Sequence, residues 1–157
     1  MNKCFTVILA MLINFNTWGQ DLPMLKVEYA IVAEGKDAPT PDLHITCYNK
    51  YFNQDYLSAD FSKMYNLNKK EPYKKKILVE IFRNDISKKG LEKIELVKVE
   101  ENKKSLIIEY KLVNADTSND EQSLSPFLII QVPKSKKKVI FIADGVELSK
   151  AREIYVD

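Results

Sequence analysis

One histidine, His44, and two cysteines, Cys4 and Cys47, are present in the 157 residues, so a nucleophile activated by an imidazole base must be served by His44. His44 and Cys47 stand three residues apart in a segment where Leu43, Ile45 and Cys47 alternate with polar residues. That alternation reads as a strand, and on a strand an odd separation sends two side chains to opposite faces. A direct Cys-His dyad is therefore not expected. The expectation is an exposed histidine and a buried cysteine that behaves as a small hydrophobe.

Other chemistry is equally short of parts. A structural zinc site needs about four Cys and His ligands, more than the chain supplies after Cys4. The loop Asp116-Thr117-Ser118-Asn119-Asp120-Glu121 copies the alternating oxygens that open a calcium-binding loop. It has Glu121 where that loop needs glycine and Phe127 where it needs the closing glutamate. Phosphate cradles are built from closely spaced glycines, whereas Gly35, Gly90 and Gly145 are scattered. Carboxylate pairs of the glycosidase kind are set by three-dimensional spacing, and no pair stands out. The chain is expected to be non-enzymatic, with no cofactor and no metal.

Lysines cluster at 69–70, 74–76, 88–89, 103–104 and 136–138, most of them at turn positions. Arginine, which grips phosphates and bases in bidentate fashion, occurs only as Arg83 and Arg152. With 24 basic against 22 acidic residues, no net field favours nucleic acid, and none is expected as a partner. The lysines read as solvated turn filler and edge protection; whether their turns meet at one end of a sheet depends on topology.

The N-terminus has an export pattern: Lys3, an apolar run from Phe5 to Ile13, then Asn16-Thr17-Trp18-Gly19-Gln20. As a helix the run rises about 13 Å, less than half of a ~30 Å hydrocarbon core. It reads as a signal peptide over residues 1–19, cut between Gly19 and Gln20, with no stable membrane span. The remaining domain, 20–157, is expected in the periplasm, cell envelope or extracellular space. It retains Cys47 alone, so no internal disulfide can form, and folding must rest on a core that a chain of this size can bury.

The elements follow from periodicity. Leu25 to Glu34 alternates with Leu25, Val27, Tyr29, Ile31 and Ala33 on one face, a half-buried strand. Leu43 to Tyr48 is a second. Leu57, Phe61, Met64 and Tyr65 recur at helical spacing within 55–65. The polar connector 68–76 leads to an apolar run from Ile77 to Arg83, a strand covered on both faces. In Leu91 to Glu101 the apolar parity switches between Leu96 and Val97, which predicts a β-bulge. Ser105 to Val113 completes a hairpin. Pro126 opens and Pro133 closes the strand Phe127–Val132, and Lys138 to Ala143 precedes an Asp144-Gly145 turn. One more short strand is expected near Ile154. The fold class is mainly β (α+β): a small antiparallel sandwich or curled sheet of about seven strands with one short helix.

Three segments, ILVEIFRNDISKKGLEKIEL, SLIIEYKLV and SPFLIIQVPKSKKKVIF, resemble the C-terminal domain of the protease complex subunit PrcB family over about residues 76–142. The likeness places Gly90, Pro126, Phe127 and Pro133 on that family's motif positions. Where the family turn usually carries two glycines and tyrosine, this chain has Lys89-Gly90-Leu91. The resemblance implies a protein-binding accessory module of an exported protease complex, its partner another exported protein. Ser87, Lys88 and Lys89 are the candidate partner loop. A protease inhibitor presenting 87–90 and 114–125, and an envelope module for carbohydrate or lipid, are the alternatives.

Overall fold

An apolar run such as Ile77 to Phe82 needs cover on both faces. In the computed structural model, which describes residues 23–40, 42–48, 56–69, 73–83, 91–114 and 125–148, that run is strand β4 (Lys76–Phe82), buried at every position from Ile77 on. It lies in a four-stranded sheet between β3 (Leu43–Cys47) and β7 (Phe127–Pro133), with β2 (Ala30–Gly35) outside β7. The facing sheet has five strands in the order β1 (Leu25–Lys26), β5 (Leu91–Glu101), β6 (Ser105–Asn114), β8 (Lys138–Ala143) and β9 (Val146–Glu147). The architecture is thus the expected mainly β one. Among the described residues it has nine strands, two of them only two residues long. Every pairing between these strands is antiparallel except that of β6 with β8, and an isolated parallel bridge joins Asp37 to Ser125.

Two cores flank β4. Toward the five-stranded sheet, Ile77, Val79 and Ile81 join Leu128, Ile130 and Val132 against Ile94, Leu106, Ile108 and Phe141. On the other face, Leu78, Phe82, Phe127 and Ile129 are covered by Leu57, Phe61, Leu67 and Tyr73. Phe61 comes from α1 (Ala59–Met64), the one helix among the described residues, whose N-cap hydroxyl, on Ser58, accepts the Phe61 N–H at 3.2 Å. The helix is shorter than 55–65. With so few turns only the Phe61 side reaches the sheet, and Met64, expected inside, is 69% exposed.

The hairpin β5–β6 has the expected bulge, a register shift between Leu96 and Lys98 that leaves Val97 unpaired. Its turn is closed by the Asn102 side chain, which accepts the N–H groups of Lys104 and Ser105, both at 2.8 Å. Asp144 and Gly145 take positive φ (50° and 80°) in the two-residue turn joining β8 to β9. The position near Ile154 lies outside the described residues.

The N-terminal strand departs from expectation. Leu25 and Lys26 pair with Glu101 and Glu100 in one sheet, while Ala30–Gly35 pairs with β7 in the other. Only Val27 and Ala33 are buried, whereas Leu25, Tyr29 and Ile31 are 63%, 43% and 52% exposed. The Val27 N–H still bonds Val99 O at 2.9 Å. The chain then leaves that sheet, so the alternation continues while the surface it refers to changes.

Candidate functional site

At one end of the sandwich the edge strand β3 lies over β6 and β8. There His44 is buried, not exposed as the sequence suggested, because Tyr110 stacks on it at 5.9 Å and Phe141 meets it edge-on at 5.0 Å. The His44 Nε2 is 2.6 Å from the Tyr110 hydroxyl. Desolvation first, and the Arg83 charge second, lower the imidazole pKa to about 4, so the ring is neutral near pH 7. Arg83, just past β4, holds Asp42 at 3.1 Å and also hydrogen-bonds the Tyr110 side chain. A guanidinium can only donate. The Tyr110 oxygen therefore accepts from Arg83, and its hydroxyl shares a second hydrogen bond with His44 Nε2 whose direction follows the imidazole tautomer. Burial pushes the phenol up to about 12, keeping its proton in place. The line Asp42, Arg83, Tyr110, His44 is thus a polar chain linking the two sheets.

Cys47 faces away from this chain, as its spacing from His44 requires, and is fully buried beside the equally buried Glu80 of β4. Burial above all, then the Glu80 charge and a hydrogen bond to it, push the thiol well above its ordinary range. Only a thiolate is nucleophilic. Cys47 is therefore expected to react with a disulfide reagent such as DTNB no faster than the domain opens. Stoichiometric reaction of native protein within the mixing time would contradict this.

A cleft of about 400 Å³ opens between the sheets on the opposite flank, lined by Glu34, Lys36, Glu92, Ile94, Val113 and Phe127 among others. Lys36 and Glu92 form an ion pair from one sheet to the other beside it. Gly35 lies against the Phe127 ring, and a Cβ at this position would fall 2.5 Å from Phe127 Cε1. That ring is held by Phe61, Tyr65 and Phe82 at centroid distances of 5.0, 5.7 and 6.2 Å. Overpacking of this kind costs about 1–3 kcal/mol, so Gly35→Ala is expected to lower the urea midpoint. An unchanged midpoint would mean that the ring gives way freely.

The residues that carry the family likeness take structural places. Phe127 is a core aromatic, 1% exposed. Pro126 is buried and its carbonyl accepts the Arg83 N–H at 2.9 Å, while Pro133 is the exposed last residue of β7. Gly19, Gln20, Ser87, Lys88, Lys89 and Gly90 lie outside the described residues, as does most of the 114–125 loop. Among the described residues no three His, Cys, Asp or Glu groups could hold a metal ion, and no helix is long and apolar enough to cross a membrane. Sequence reasoning missed Glu80, Arg83 and Tyr110, which it assigned to apolar strand faces and ends.

Two sheet edges run side by side above the cleft. β1 covers only the last two residues of β5, and the uncovered part of β5 carries Glu92, Lys93, Glu95 and Lys98, the charges that usually guard an edge. β2 is different. From Ala30 to Ala33 it has no charge; its guards are a register shift between Ile31 and Ala33 and the exposed Glu34 at its cleft end. No family model matches the chain, and no curated protein or solved structure matches it.

Proposed function

We propose that the protein is an exported, non-enzymatic protein-binding accessory module that takes up an extended segment of its partner along β2. The observation that carries this is the outer edge of β2, uncharged from Ala30 to Ala33, whose outward main-chain groups pair with no other strand among the described residues, with Tyr29 and Ile31 exposed beside it. Strand addition satisfies those backbone groups, and alternate side-chain pockets supply specificity. The likeness of SPFLIIQVPKSKKKVIF to the PrcB family supports a partner within a protease complex of the envelope or exterior.

The test is retention of native envelope proteins on immobilised residues 20–157, the part that contains every described element. Ile31→Asp places a charge on the open edge, and Met64→Asp places one on the exposed side of the helix. A protein held by the wild type and by Met64→Asp but lost at least tenfold by Ile31→Asp supports the reading. Recovery of the domain alone, or equal retention by Ile31→Asp, counts against it.

A further inference from the structure

Three lysine-rich segments far apart in sequence meet at the end of the sandwich opposite the cleft. The Lys134 N–H bonds the Lys75 carbonyl at 2.9 Å, and the Lys138 N–H bonds the Lys104 carbonyl at 3.2 Å. Residues 74–76, 103–104 and 134–138 thereby form one surface across both sheets, with every lysine in it exposed except the half-buried Lys137. Among the described residues, the acidic side chains on the adjoining end of β5 are Glu100 and Glu101; Glu101 pairs with Lys137 at 2.7 Å and Glu100 with Lys98 at 3.3 Å. The overall balance of the chain conceals this local excess.

We infer that this end docks on an anionic lipid bilayer. Lysine ammonium groups are compact point charges on flexible stems, suited to a diffuse field of headgroups in which each contributes about fivefold to partitioning. A nucleic-acid strand is instead gripped by stacking aromatics and arginines, and the three segments contain neither. Apolar side chains stand at the same end: Leu25, 63% exposed, lies opposite Glu101, and the Met24 sulfur is 3.6 Å from Asn102 Nδ2. Exposed Met and Leu beside lysines match the apolar-to-polar gradient of a bilayer interface.

The experiment is co-sedimentation of residues 20–157 with phosphatidylcholine vesicles, with and without 30 mol% phosphatidylglycerol, at about 25 and 300 mM salt, where the Debye length is about 20 and 6 Å. Binding is expected only with phosphatidylglycerol and only at low salt. The quadruple variant K75E/K104E/K134E/K136E, all exposed sites, is expected to lose about a hundredfold or more. Lys63→Glu with Lys111→Glu, on other faces, is expected to bind as wild type, with circular dichroism confirming that each variant is folded. The inference is overturned if anionic vesicles are not bound or if the quadruple variant binds them like wild type. It is also overturned if heparin or single-stranded DNA is bound more tightly than the vesicles at the same salt.

Discussion

Phe127→Ala is expected to remove about 3–5 kcal/mol from the fold, a large part of the 5–15 kcal/mol typical of a domain. The ring is 1% exposed and sits where Phe61 and Tyr65, Phe82 of β4, and Gly35 of the edge strand converge. No smaller side chain fills that junction. Urea unfolding followed by tyrosine fluorescence measures the loss. A second measurement ties it to Gly35: Gly35→Ala is expected to cost less in a Phe127→Leu background than in wild type, because the atom it strikes is gone. Equal cost in both backgrounds would place the strain elsewhere.

Acid is expected to weaken the fold through His44. Its folded pKa of about 4 lies below the ordinary 6.5, so between these values the unfolded chain binds the proton that the folded chain refuses. Stability from this group is complete above about pH 6.5 and is lost as pH falls toward 4, by about 3 kcal/mol in all. Protonated His44 would set a second donor against the Tyr110 hydroxyl and a positive charge near Arg83, inside an apolar wall. Unfolding curves from pH 7 to 4.5 should therefore slope for the wild type and flatten for His44→Gln, whose amide oxygen can accept from Tyr110. Retention of the full slope in His44→Gln would assign acid sensitivity to another group.

Much of the scaffold was legible because it depends on local pattern. The parity switch at Leu96 and Val97 marked the bulge, the unbroken Ile77–Phe82 run marked a strand covered twice, and Asp144-Gly145 marked the last hairpin. What escaped depends on partners distant in sequence. His44 looked exposed because the groups that bury it, Tyr110 and Phe141, arrive on strands of the other sheet. Leu25 to Glu34 looked like one strand because alternation is blind to which sheet receives it. The lysine turns were visible as turns, but only the juxtaposition of residues 75 with 134 and 104 with 138 makes them a surface. Glu80 had no local signal: one acidic residue in an apolar run has the same pattern whether it is covered or not.

The route of the chain between the sheets has a kinetic consequence. β1 and β2 lie in different sheets, as do β4 and β5, β6 and β7, and β7 and β8, and the parallel partners β6 and β8 are separated by a complete excursion into the other layer. Neither layer can be assembled from a continuous stretch of polypeptide, so neither can serve as a stable intermediate for the other. Such a molecule should fold late and all at once, in milliseconds to seconds as non-local β topologies do, and only after residue 143 has been made. The uncovered β2 edge and the lysine end, each assembled from segments distant in sequence, therefore come into being in a single step with the two sheets.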